Sequence, residues 1–159
     1  MRWGAVRVVP ETAPGEWGSA GAATTRRIRI TSSSSIDGKS MDMGRIDQVV
    51  TVGTTEIWEV RNQTGSLHNF HVHDVQFKVL AWRGGPPPPY LAGWKDTVAL
   101  PPGQSVRFLT RFSDYADPST PYMFHCHLLR HEDEGLMGQF VVVQPAQTPR
   151  QPPAHQHQG

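Results

Sequence analysis

Apolar residues along the chain fall in short runs, mostly β-branched or aromatic, broken by Gly, Pro, Asn and Asp. The runs are 26–31, 48–52, 56–61, 75–82, 97–100, 105–112, 122–127 and 138–143. Runs of this length and spacing predict about eight strands of an all-β sandwich. Asp37-Gly38, Pro101-Pro102-Gly103 and Asp117-Pro118 lie between runs, where the chain must reverse, and read as turns. The run from Gly84 to Gly93 holds four consecutive prolines that cannot donate to a ladder, so it reads as an extended loop. One helical turn is expected around Leu128 to Asp133. Residues 1 to about 25 show no period, and 145–159 are rich in Pro and Gln. Both ends therefore read as disordered, leaving one ordered domain over about 26–144.

Composition agrees with this and narrows the function. Gly and Pro, 15 and 14 of 159 residues, suit strands and turns better than helices. Fifteen Lys and Arg balance 14 Asp and Glu without a basic block, so nothing points to nucleic acid or an acidic membrane surface. No stretch approaches the roughly 18 apolar residues of a membrane span, and the opening residues lack the apolar core of a secretory signal. Cys126 is the one cysteine, so no internal disulfide forms and the thiol must serve another purpose.

That purpose follows from the histidines. Six of the eight lie in two groups, His68-Asn69-Phe70-His71-Val72-His73 and His125-Cys126-His127-Leu128-Leu129-Arg130-His131. In a strand, alternate side chains face opposite sides. His125 and His127 then share one face while Cys126 points to the other; His71 and His73 also share a face and meet the first pair if the strands are neighbours. Two coordination sites thus back onto one strand: Cys126 with His68 and His131, and the two His-x-His pairs. One thiolate with two imidazoles is the ligand set of blue copper. Zinc fits less well, because structural zinc usually takes two or more closely spaced cysteines. A Cys/His nucleophile is the other alternative, but a cysteine flanked by histidines on a strand is poorly placed for a base and its orienting group.

These motifs, HNFHVH and HCHLLRH with the following EDEGLMGQFVV, resemble the C-terminal cupredoxin domain of laccase-like bacterial multicopper oxidases. IDGKSMDMGRID, EIWEVRNQTG and GWKDTVALPPGQSVR extend the likeness over about 26–144. The resemblance implies a Greek-key cupredoxin sandwich. It implies type 1 copper on His68, Cys126 and His131, type 2 copper on His71, and type 3 coppers on His73, His125 and His127. A reducing substrate, a phenol or a metal ion, would give electrons to the type 1 copper. They would pass through Cys126 to His125 and His127 and on to a cluster that reduces dioxygen to water. Glu132 would be a proton relay there, or else a solvated acid. Asp96 would hydrogen-bond a ligand imidazole, or else lie in a turn.

Two departures from the family pattern stand out. The axial methionine commonly falls ten positions after the cysteine, which here is Leu136; Met137, one place on, is the alternative ligand. The family's oxygen-reducing cluster also takes twice the four histidines that His71, His73, His125 and His127 supply, the rest coming from two His-x-His motifs of an N-terminal cupredoxin domain. The expected partner is such a domain, in the same parent or another chain, with a homo-oligomer as a further arrangement. His155 and His157 read as a solvated pair rather than a replacement. The isolated monomer is then expected to be inactive as an oxidase, and a standalone electron carrier or a copper-binding truncation are the alternatives. By resemblance the parent is exported to the periplasm or beyond.

Overall fold

The computed structural model describes residues 21, 22 and 24–150. His155, His157 and nearly all of the expected N-terminal disordered stretch lie outside them. Among the described residues ten strands, a 3-10 turn at Pro89–Leu91 and one short α-helix are found, in chain order β1 (Thr24–Ser32), β2 (Ser35–Ile36), β3 (Gln48–Thr51), β4 (Thr55–Asn62), β5 (His68–Val72), β6 (Phe77–Trp82), β7 (Thr97–Leu100), β8 (Ser105–Arg111), β9 (Asp117–His125), α1 (Leu129–Asp133) and β10 (Met137–Val143). They form two five-stranded sheets, ordered β2-β1-β4-β8-β6 and β3-β10-β9-β5-β7. This is the all-β sandwich expected from the run pattern, in the cupredoxin-like form that the resemblance implies.

The core lies between the sheets. Trp58 of β4 is its centre, with ring centroids 6.1 Å from Phe108 in its own sheet and 6.5, 5.8 and 6.0 Å from Phe70, Phe124 and Phe140 in the other. These rings are fully buried, and burying each large aromatic group stabilises the fold by roughly 1.5–3 kcal/mol. Alternation does the rest: along β5 the burial is buried, partial, buried, partial, buried, so His68, Phe70 and Val72 face the core while Asn69 and His71 face outward.

Two of the three expected turns form as read. Asp37 and Gly38 both take positive φ, 51° and 77°, as a two-residue hairpin turn requires. Pro101 accepts from the Gln104 N–H at 3.1 Å with Gly103 at φ 68°, a proline-glycine turn. Asp117-Pro118 is a correction: it opens β9 instead of reversing the chain. Phe140 pairs with Tyr122 and Val142 with Asp117, so β9 carries excess residues against β10 and bulges. The local tendency of Asp117 is spent inside that bulge. Its carboxylate accepts from the Ser119 hydroxyl and backbone N–H and from the Thr120 hydroxyl, which hold its pKa down at about 2.

β9 and β10 pack tightly where the site begins. A Cβ at Gly138 would lie 2.5 and 2.8 Å from carbons of the Phe124 ring and 3.0 Å from Asp47 Oδ2. Gly138→Ala should therefore cost about 1–3 kcal/mol as overpacking, read as a lower denaturant midpoint with an unchanged slope. A wild-type midpoint would mean that the Phe124 ring gives way freely.

Candidate metal centre

β5 and β9 are neighbours, with His71 directly opposite His125. That register joins the two histidine motifs, and the period of two sorts them onto two faces.

On the inner face, ligand atoms of His68, Cys126 and His131 all lie within 4.8 Å of one another. His68 and Cys126 are fully buried. Cys126 Sγ is 3.6 Å from His131 Nδ1, and the His68 and His131 rings are 4.5 Å apart. His131 comes from α1, whose first turn lets the chain fold back, so that residues five apart in sequence meet. His68 Nε2 meets Thr64 Oγ1 at 2.9 Å, whereas its buried Nδ1 has no partner. Burial, and then the nearby His131, lower the His68 pKa to about 4, so the ring stays neutral and able to ligate at neutral pH. The Asn69 backbone N–H donates to Cys126 Sγ at 3.5 Å. An orphaned imidazole nitrogen, a buried thiol and a second imidazole fit a thiophilic metal that accepts His₂Cys.

On the outer face, ligand atoms of His71, His73 and His125 form a second group within 4.8 Å. His71 Nδ1 donates to the Asp96 carbonyl at 3.0 Å and contacts Thr97 Oγ1 at 2.9 Å, which leaves Nε2 with its lone pair. His125 Nδ1 donates to the Cys126 carbonyl at 3.1 Å, and its Nε2 stands 3.1 Å from His73 Nε2. Burial lowers the pKa of both His73 and His125, so both rings are neutral and can each offer a nitrogen to a cation. His127 lies just outside the group; its ring is 5.3 Å from those of His71 and His125, and its backbone N–H is held by Asn69 Oδ1. An open depression of about 540 Å³ beside the group is lined by His71, His73, Asp74, Asp96 and Tyr122.

The remaining candidates fall as follows. Glu132 lies 3.6 Å from His125 Nδ1, on the ring edge away from His73. Asp96 does hydrogen-bond a ligand imidazole, that of His71, and does so through its backbone carbonyl. Leu136 is fully buried in the core cluster that also contains Cys126. Met137 is paired in register with His125 and so shares the face opposite Cys126. Sequence reasoning missed Asn62, Thr64, Asn69 and Thr97. The only signal for them was hydrogen-bonding side chains beside the histidines, a pattern that turns also produce.

The family model for multicopper oxidase matches residues 19–146. The chain belongs to the multicopper oxidase family. It is 41% identical over 112 residues to a multicopper oxidase of Staphylococcus haemolyticus, an alignment covering 68% of this chain and 24% of that protein. To a laccase of Haloferax volcanii it is 44% identical over 98 residues, 59% of this chain and 16% of the laccase. Among solved structures, the laccase-like multi-copper oxidase CueO of the lignin-degrading bacterium Ochrobactrum sp. superposes with a TM-score of 0.71 at 33% identity, covering 79% of this chain and 32% of that one. The chain thus spans about a quarter of the length of the staphylococcal relative. As a domain of this family with a His/Cys ligand group, it is a copper-binding domain. Among the described residues no helix is long and apolar enough to cross a membrane.

Proposed function

We propose that this chain is the domain of a laccase-like oxidase that receives electrons and passes them on, with His68, Cys126 and His131 holding the type 1 copper. The observation that supports this most is the segment His125-Cys126-His127, whose thiol belongs to one ligand group while the flanking His125 belongs to the other and His127 lies beside it. Copper bound at these groups supplies one-electron redox couples, which the family uses to link oxidation of a reductant to reduction of dioxygen to water. Cys126 then joins the two sites through covalent bonds alone, a path too short and rigid for the sites to drift apart.

On the outer face we assign His71 to type 2 copper, and His73, His125 and His127 to the type 3 pair. The Nδ1–H bonds of His71 and His125 hold those rings so that Nε2 faces the group. Glu132, beside the His125 Nδ1–H, can hold a proton next to the cluster or orient that ring. The open depression at His71 and His73 leaves room for a facing domain that brings two His-x-His motifs, from the same parent or another chain. Phenols are the favoured reductants, by likeness to the Ochrobactrum protein, which is described as an oxidase of lignin model compounds; a metal ion is the alternative. An exported parent accords with the same relatives.

With copper bound, a phenol should bleach the blue absorption of the isolated chain, and air should restore it only slowly until a domain carrying the missing histidines is added. No bleaching would sink the electron-accepting role. Rapid reoxidation by a monomer would remove the need for a partner domain.

The buried Leu136 supports a type 1 site with no thioether beneath it. Leu136→Met should therefore lower the reduction potential by adding a donor that favours oxidised copper. Met137→Leu should leave it unchanged; a shift there, with none at position 136, would make Met137 the ligand.

A further inference from the structure

His68 is held by a network that no metal-ligand motif contains. Asn62, the last residue of β4, is fully buried between the sheets. Its Nδ2 lies 2.8, 3.0 and 3.1 Å from the carbonyl oxygens of Ser66, Leu100 and Pro101. Carbonyls only accept, so that end of the amide must be the donor and Oδ1 the acceptor. Oδ1 accordingly takes the Thr64 backbone N–H at 2.9 Å and lies 2.8 Å from Thr64 Oγ1.

The Thr64 hydroxyl has a single proton. Both oxygens near it, Asn62 Oδ1 at 2.8 Å and Ser66 O at 3.3 Å, can only accept, and the Ser66 N–H points into the hydroxyl oxygen at 3.2 Å. Two oxygens 2.8 Å apart, one of them an obligate acceptor, need a proton between them, so the hydroxyl proton goes to Asn62 Oδ1 and Oγ1 meets His68 Nε2, 2.9 Å away, as an acceptor. The imidazole must donate there. Its one proton in the neutral ring is then on Nε2, and Nδ1 keeps its lone pair. That Nδ1 is the buried nitrogen without a partner, in the ring whose ligand atom lies within 4.8 Å of Cys126 and His131.

We propose that Asn62 and Thr64 are positioning residues: the relay Asn62–Thr64–His68 fixes the His68 tautomer, aims Nδ1 at the metal and raises the imidazole's basicity. The inference rests on the type 1 reading for its consequence, though the tautomer itself needs no metal. A hydrogen bond from the outer nitrogen of a ligating imidazole orients the ring and strengthens it as a donor. Here the acceptor is neutral but is itself polarised by a buried amide, and the ring, fully enclosed, cannot find another.

Nitrogen NMR of the metal-free full chain at neutral pH should show His68 protonated at Nε2. In Thr64→Val, which keeps the shape of the side chain and removes the acceptor, that tautomer should lose its dominance. Affinity for Cu(II), measured against a competing chelator, should fall by about tenfold to a hundredfold. The reduction potential of the copper-loaded variant should rise, because a weaker imidazole stabilises oxidised copper less. Thr64→Ser, which retains the oxygen, should restore all three. His68 protonated at Nδ1 in the wild type, or Thr64→Val losing thermal stability alone with affinity and potential unchanged, would overturn the relay. If the wild type takes up copper without a thiolate absorption band, the type 1 reading fails, and the tautomer measurements still decide the relay.

Discussion

Cys126→Ser should leave the sandwich folded and remove the blue absorption of the copper-loaded chain completely. The intense colour of a His₂Cys copper site comes from charge transfer out of the thiolate, which a serine oxygen cannot supply. The rest of the site needs little adjustment. Cys126 is fully buried beside Leu136 in the core, and its sulfur has one backbone donor, the Asn69 N–H. A hydroxyl is smaller and more polar; its burial costs about 1–3 kcal/mol when poorly bonded, less than the stability of a typical domain. Circular dichroism should therefore match the wild type while the visible spectrum goes blank. Persistence of the band in a folded Cys126→Ser protein would eliminate the sulfur as the chromophore.

The largest effect on stability should come from Glu56, far from both ligand groups. Its carboxylate is 3% exposed and receives Arg26 through Nε at 2.6 Å and Nη2 at 2.8 Å. Trp58 Nε1 donates to the same carboxylate at 3.0 Å. Arg26 continues to Gln48 Oε1 and to the Val49 carbonyl, so the network ties β1 and β4 of one sheet to β3 of the other. Glu56→Ala strands the arginine and the buried indole N–H together. Loss of one partner of a buried pair costs about 3–5 kcal/mol, and Arg26, 17% exposed, places this case at the lower end. Urea unfolding should show the midpoint falling with an unchanged slope. A change under about 0.5 kcal/mol, the level of an ordinary surface substitution, would show that the network is dispensable.

The two ligand groups were legible because both depend on a period of two and on unusual residues. Histidines at 68, 71, 73, 125, 127 and 131 around a lone cysteine suit little besides metal binding, and strand phase separates the two His-x-His pairs from Cys126 without knowledge of the fold. Strand pairing was less legible. His68–Val72 is a five-residue strand with three polar positions, so hydrophobicity alone does not mark it, and its place beside β9 depends on long-range packing. Asp117-Pro118 misled because a local turn preference was absorbed by a bulge that only the length mismatch with β10 creates. The supporting hydrogen bonds from Thr64 and Asn69 were invisible for a different reason. Asn and Thr bond to whatever lies near, and what lies near is decided by the tertiary structure.

Leu136 is understood only when sequence position and strand register are combined. Counting from Cys126 identifies the position, but the count alone permits a slip of one residue that would bring Met137 to the metal. A slip of one residue in a strand reverses the face of a side chain. Register provides the missing information: Met137 stands opposite His125 and Gly138 opposite Phe124.

The measurement closest to the central claim is a Cu(II) titration of the full chain followed by visible absorption and electron paramagnetic resonance. The type 1 assignment predicts that the first equivalent, about one copper per chain, develops an intense blue band and the narrow copper hyperfine splitting of a thiolate-bound centre. Tight uptake of that first equivalent with neither signature would contradict it.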